Sequence, residues 1–294
     1  MCLVWGSTWL VIKEGLRDLP PLFSAASRFT VAALTMALVA RILRGRESGR
    51  PPPLWLSMTL GGLNFGPSYA IVYVSETRLD SSITAVLWAV FPLMVAVAAH
   101  IALPGEKLHR SQAAGFVIGF LGVLSLFVND LGTIGPEAVG AGAFLLLSPL
   151  VSSVGTVIVK RNNHGISSLL LNRDAFAFAA LLLVAAAFVF EDPLGVPLST
   201  RGVLSIVYLA LFGTVLTFGL YWWLMRYLPA ARMSLIAYMI PLVALFLGWF
   251  VGEERILPST LAGTAMILVG VFLAARGRER VRSAPVVAPS GSQR

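Results

Sequence analysis

Trp5 and Trp9 stand four residues apart, and Tyr69 and Tyr73 repeat that interval further along the chain. On a helix each pair shares a face. Aromatic rings with a polar edge suit a neutral or zwitterionic amphipathic solute. Arg28 and Asn64 are the deep polar side chains of two otherwise apolar stretches. A guanidinium inside such a stretch costs a few kcal/mol unless it is satisfied. Arg28 is therefore expected either to face a cavity, where it would hold a carboxylate bidentately, or to snorkel to the outer surface. Asn64 is expected to bind solute or to bond across a helix interface. Tyr238 lies nearer the middle of its stretch and joins the candidate binding residues, whereas Tyr73 and Trp222 lie near stretch ends, as an interfacial belt would.

Other chemistries lack their residues. Cys2 is the single cysteine, and His100, His109 and His164 have no close pairing with Cys, Asp or Glu. Neither a disulfide nor a metal site is indicated. No cluster of His, Asp or Ser suggests an enzyme, and no cofactor motif is present. All fourteen acidic residues fall in loops or near stretch ends. A midplane carboxylate of the kind proton relays use is therefore not expected, nor is the buried negative charge that a cationic-drug pump would offer.

The elements that must position these residues follow from composition. Of 294 residues, 57% are hydrophobic and 12% charged, too few charges to cover a water-soluble surface. Apolar runs give ten stretches, 1–16, 20–40, 54–74, 82–103, 110–128, 137–159, 167–190, 202–225, 231–251 and 257–275. Most are long enough to cross a bilayer as helices. The first is the weakest, its apolar run ending at Lys13. It is expected to run on through Lys13 to Leu19 or to need residues before Met1, and no basic region precedes it as in a cleaved signal peptide. The fold class expected is all-α, a polytopic membrane protein of ten transmembrane helices.

With the first loop outside, sixteen of the 22 Lys and Arg fall on the inner face and five on the outer. The positive-inside bias then places both termini in the cytoplasm. Read this way, the net charge of +8 marks membrane orientation rather than nucleic-acid binding. Residues 277–294, basic and then rich in Pro, Ser and Gly, are expected to form a disordered cytoplasmic tail.

The chain also repeats itself. Glu106-Lys107-Leu108, Gly115 and Gly122-Val123 match Glu254-Arg255-Ile256, Gly263 and Gly270-Val271 at an offset of about 148 residues, and Pro92-Leu93 matches Pro241-Leu242. The halves are 1–130 and 131–276. Five helices per half is an odd number, so the second copy would enter the membrane inverted. Pro92 and Pro241, each about ten residues into a stretch, would bend their helices and serve as hinges. Glu106 and Glu254 lie at stretch edges, where helix capping or a loop salt bridge explains them. Gly115, Gly119 and Gly122 read as close-packing positions.

Trp5-Gly6-Ser7-Thr8-Trp9, Lys13, Pro20-Pro21, Ser27-Arg28-Phe29 and the repeated block from Pro92 and Pro241 resemble the EamA-type family of the drug/metabolite transporter superfamily. The resemblance covers all but the tail. It implies ten helices around a central cavity between inverted halves, and export or exchange of amino acids, nucleotide bases, sugars, other metabolites or drugs. Expected partners are a small-molecule solute and the lipid bilayer, without nucleic acid, the chain acting as a monomer or weak homodimer. The expected location is a bacterial inner (cytoplasmic) membrane. The alternative is a channel or a non-transporting membrane scaffold, for which rings of charge or a repeated filter loop would be the natural sign.

Overall fold

The structure, a computed structural model, describes residues 1–43, 49–103, 110–126, 135–162, 165–224 and 230–282. These form helices α1 (Cys2–Gly15), α2 (Pro21–Ile42), α3 (Leu54–Thr59), α4 (Gly66–Glu76), α5 (Ser81–Trp88), α6 (Phe91–Ala102) and α7 (Arg110–Leu126). There follow α8 (Pro136–Leu145), α9 (Leu147–Asn162), α10 (Ser168–Phe190), α11 (Thr200–Ala210), α12 (Thr217–Leu224), α13 (Ala230–Phe250) and α14 (Pro258–Arg282). No strand forms among the described residues; Arg50 and Ile166 make an isolated bridge between two loops. Among the described residues, five helical stretches are long and apolar enough to cross a bilayer: Pro21–Ile42, Ser81–Ala102, Pro136–Asn162, Ser168–Phe190 and Thr200–Tyr221. The remaining apolar stretches read from the sequence are also helical where described.

Polarity is distributed as a bilayer requires. Leu34, Leu38, Phe188, Phe190, Phe246 and Trp249 are exposed, while Ser24, Ser68, Ser148, Ser152, Thr214 and Thr217 are buried. Lipid tails satisfy the outer apolar side chains, and the inner hydroxyls bond across or along helices. Ser68 Oγ meets Ser148 Oγ at 2.8 Å, Ser152 Oγ donates to Ser68 Oγ at 2.8 Å, and Trp88 Nε1 donates to Ser148 Oγ at 3.0 Å. One small network thus ties α4, α5 and α9 together.

Two stretches widen into π-helix at matching places. Leu60–Phe65 joins α3 to α4, and Leu211–Leu216 joins α11 to α12, about 150 residues later. In the first, Pro67 supplies no N–H to the turn before it, and Gly61 lets that turn press on α10, where an added Cβ would sit 2.5 Å from the Ala175 carbonyl oxygen. In the second, the Thr214 hydroxyl donates to the Leu209 carbonyl at 2.9 Å, five residues back, the spacing of a π turn.

The glycines of the repeat meet each other where α7 packs on α14. A Cβ on Gly270 would lie 2.5 Å from the Gly115 carbonyl oxygen, and one on Gly122 would lie 2.7 Å from that of Gly263. Only glycine allows this approach. Each glycine therefore faces the other's repeat counterpart: Gly115 faces Gly270, and Gly122 faces Gly263.

The prolines differ from each other. Pro92 sits at the start of α6, just after a turn at Ala89 and Val90 that separates α5 from α6. Pro241 is buried inside α13, which continues through it. At the termini, α1 ends at Gly15 rather than at Leu19, and α14 runs to Arg282, six residues past the expected end of the second half. Residues 283–294, most of the expected tail, lie outside the described residues.

Candidate functional site

Arg28 is 1% exposed and among the largest fully buried side chains. It neither snorkels nor lines an open cavity. Its Nε donates to Thr214 Oγ1 at 2.9 Å, and its two terminal nitrogens donate to Tyr73 Oη at 3.3 Å and to the Gly213 carbonyl at 3.5 Å. Its guanidinium carbon lies 4.8 Å from the Tyr69 ring centre and 5.7 Å from that of Phe29, an aromatic setting that favours a cation. Among the described residues no carboxylate lies within ion-pairing distance of Arg28, so hydroxyls, one carbonyl and ring faces carry its satisfaction. The second π turn supplies two of those partners.

Tyr73 is fully buried, which overturns its placement in an interfacial belt. Tyr69 and Tyr73 share a face of α4, and that face receives Arg28. Around them the rings close into a packed cluster. Phe29 lies 4.8 Å from Tyr69, Phe65 lies 4.9 Å from Phe176 and 5.0 Å from Phe218, and Trp5 lies 5.4 Å from Phe218 and 5.7 Å from Tyr221. Helices α1, α2, α4, α10 and α12 and the first π turn thus each place a ring in one cluster. Trp5 is half-buried at its edge. Trp9, one turn on, faces Trp88 at 6.1 Å, and its indole N–H is buried without a hydrogen-bond partner.

Asn64 bonds across a helix interface. Its Nδ2 donates to the Ser152 carbonyl at 3.0 Å and to Thr156 Oγ1 at 2.8 Å, both on α9, and its Oδ1 is buried without a partner. The side chains of Tyr238 and Trp222 lie outside the described residues, as does Glu106. The predicted residues therefore separate: Arg28, Tyr69, Tyr73 and Trp5 share the central cluster, while Asn64 and Trp9 stand at its flanks.

The sequence reading missed Glu76. The sequence places every carboxylate in a loop or near a stretch end, yet Glu76 is fully buried, and neither of its carboxyl oxygens has a hydrogen-bond partner. It lies three residues beyond Tyr73, on the face of α4 that carries Tyr69 and Tyr73. Lys13 Nζ donates to the main-chain carbonyls of Glu76 at 2.9 Å and of Leu79 at 2.6 Å, capping the end of α4. The available signal was the spacing of Tyr69, Tyr73 and Glu76, at intervals of four and three.

Of the two roles that its place at a stretch edge suggests, a helix cap or a loop salt bridge, Glu254 takes the cap. It accepts from the backbone N–H of Ser81 at 2.8 Å, that of Ser82 at 3.0 Å and the Ser81 hydroxyl at 2.6 Å, holding the N-terminus of α5. Glu191 does the same for α2, accepting from Leu22 N at 2.8 Å and Phe23 N at 2.7 Å. A half-open cavity of about 520 Å³ lies beside the Glu254 cap, with Lys13, Asp80, Glu254 and Arg255 in its lining. A second, apolar cavity of about 490 Å³ lies between Val4, Ser7, Tyr208 and Val243.

Residues 1–128 and 140–276 match the EamA-like transporter family, nearly the whole described chain. The chain belongs to the EamA-like transporter family. It is a multi-pass membrane transporter, in a family of transporters rather than enzymes. The protein named "Uncharacterized transporter YoaV" of Bacillus subtilis (strain 168) is 28% identical over 272 residues, 92% of each chain. The "Uncharacterized inner membrane transporter YedA" of Escherichia coli (strain K12) is 29% identical over 288 residues, 98% of this chain and 92% of its own. A solved crystal structure shares the fold at a TM-score of 0.67 and 19% identity, covering 96% of both chains. In this EamA-like transporter the buried Arg28 and its aromatic neighbours are the interior polar centre most closely tied to the motifs that carried the resemblance.

Proposed function

We propose that the chain is an alternating-access carrier of small neutral or carboxylate-bearing metabolites such as amino acids, working as an exporter or exchanger. Ten transmembrane helices form two inverted five-helix repeats, 1–130 and 131–276, with both termini cytoplasmic. The observation that carries this reading is the reciprocal glycine packing of α7 on α14. When residue i meets the counterpart of j, and j meets the counterpart of i, a two-fold axis relates the two copies. The matched π turns support the same axis. Two repeats that pack symmetrically exchange roles when they rock, which opens the centre first to one side and then to the other.

In this reading the substrate site is the central cluster of Trp5, Arg28 and Tyr69, with Trp9 beside it, Asn64 fixing its flank to α9, and Tyr238, whose side chain lies outside the described residues, proposed as a further binding residue. The closed arrangement has Arg28 held by Thr214 and Tyr73. A substrate carboxylate replaces those neutral acceptors with a charge-assisted bidentate pair. The separation of α5 from α6 before Pro92 and the proline within α13 at Pro241 supply the hinges. The carrier functions as a monomer or weak homodimer and has no nucleic-acid partner.

Counterflow in proteoliposomes with labelled amino acids, nucleobases, sugars and neutral metabolites tests it. Saturable exchange of one class is expected, and no exchange across the whole panel would sink the carrier reading. Trp5→Ala is expected to cut exchange on the order of tenfold, the loss of about 1.4 kcal/mol of ring contact, with insertion intact. Undiminished exchange would remove Trp5 from the site.

A further inference from the structure

We propose that Glu76 is a proton-binding site, and that its proton is the coupling ion of the transport cycle. This rests on the carrier reading above. The geometry starts with a carboxyl that is 0% exposed and has no hydrogen-bond donor on either oxygen. An ionised carboxylate in such a place is strongly disfavoured, so the group holds a proton or gains a cation as partner.

The surrounding charges show which cation is within reach. The charged groups around the buried Glu76 are Lys13 from α1, whose ammonium lies 2.9 Å from the Glu76 main-chain carbonyl, Glu254 from the loop before α14, and Arg28 from α2. Asp80, at the head of α5, shares Lys13 and Glu254 as its charged neighbours. On α1, Glu14 is occupied by Arg17 at 3.1 Å and Arg201 at 3.8 Å. On α8, Glu137 pairs with Arg78 at the surface. Helices α9 and α10 carry no charged residue from Ser148 to Val159 or from Ala175 to Phe190. Lys13 is thus the one cation among these that both touches the Glu76 backbone and lines an open cavity.

Two states follow. In the present one Glu76 is protonated and neutral, and the Lys13 ammonium is held by the carbonyls of Glu76 and Leu79. When the cavity beside Lys13 deepens to reach Glu76, the carboxyl O–H breaks, the proton leaves to water, and the Lys13 ammonium moves from the carbonyls to the new carboxylate. That exchange frees the Leu79 carbonyl in the turn joining α4 to α5 and leaves α1 held to α4 by an ion pair with Glu76 instead. Protonation is thereby linked to the packing of α1, whose Trp5 borders the central cluster. Tyr73, one turn from Glu76 and bonded to Arg28, links the proton site to the substrate site.

Infrared difference spectra of the full chain in lipid, recorded between mildly acidic and mildly alkaline pH, test the site directly. The expected result is a protonated-carboxyl carbonyl band that is lost on raising the pH, absent from Glu76→Gln and displaced in Glu76→Asp. The same band in Glu76→Gln as in the unaltered protein would overturn the assignment. In proteoliposomes, accumulation driven by a pH gradient is expected to fall in Glu76→Gln to the level without a gradient, and to persist in Glu137→Gln. Solute exchange by the unaltered protein that is indifferent to the gradient would overturn the coupling while leaving the carrier reading standing. An unaltered protein that exchanges no solute but shows the Glu76 band would overturn the carrier reading and, with it, the coupling.

Discussion

The two π turns occupy corresponding places in the two halves and are put to different uses. In the first, Leu60–Phe65, Asn64 reaches across to α9 and bonds a carbonyl and a hydroxyl. In the second, Leu211–Leu216, Thr214 and Gly213 turn inward and hold the buried guanidinium of Arg28. Both turns gain from the same local loosening, which frees backbone and side-chain groups that a regular helix would keep for itself. One half spends that freedom on a neutral helix-to-helix bond, the other on a charge contributed by the opposite half. Two turns of the same kind therefore make unlike contacts, and the difference rests on which side chain stands opposite each turn.

The largest effect is expected from Arg28→Ala. It leaves Thr214 and Tyr73 without their partner and opens a cavity at the most crowded point of the core. A loss of about 3 kcal/mol of folding stability is expected, read by denaturant unfolding in detergent. Arg28→Lys separates charge from fork geometry: if the fork matters, stability returns only in part and exchange of carboxylate-bearing solutes stays low. Full recovery with lysine would show that the second π turn merely surrounds a charge.

Thr214→Val comes next. It preserves shape and removes the hydroxyl that accepts from Arg28, so about 1 kcal/mol is expected to be lost, together with solute exchange. Asn64→Leu is the smallest, about 0.6 kcal/mol by unfolding, with exchange by the remaining folded protein close to normal. If Asn64→Leu depressed exchange as much as Thr214→Val did, the two turns would be functionally equivalent and the comparison would fail.

The glycine contact gives the symmetry its own test. Gly270→Ala places a Cβ 2.5 Å from the Gly115 carbonyl oxygen, and about 2 kcal/mol of destabilisation is expected from the forced separation of α7 and α14. Gly122→Ala, its sequence counterpart, places a Cβ 2.7 Å from the Gly263 carbonyl oxygen but otherwise meets the side chains of Ile267 and Met266, so a destabilisation of the same kind and somewhat smaller size is expected. A loss at only one of the two positions would weaken the case for a two-fold axis.

Much of the architecture was written locally in the chain. Apolar runs of bilayer length announce helices wherever they occur, because an unpaired peptide group is too costly in lipid for any other open structure. The repeated glycines announced close packing, and Glu254 beside its basic neighbour announced a cap or a loop salt bridge. These readings needed only sequence distance and side-chain type. Even so, the two prolines were not told apart: the helix is interrupted before Pro92, while α13 runs on through Pro241. The neighbours packed against each decide whether a missing hydrogen bond becomes a break or a bend.

The polar interior was decided by tertiary structure alone. Tyr73 and Glu76 stand near the end of an apolar stretch, where sequence suggests a surface belt and a solvated loop, yet both are buried, with Lys13 of α1 on the Glu76 carbonyl and Arg28 of α2 on the Tyr73 hydroxyl. Arg28 could be seen from the sequence to need satisfaction, but its partners, Thr214 and Gly213, lie nearly two hundred residues away. Burial of a polar group and identity of its partner are properties of the space between helices. That space exists only after the chain has brought its two halves together, so the sequence determined the helices and their seams, and the packing determined which polar groups meet at the centre.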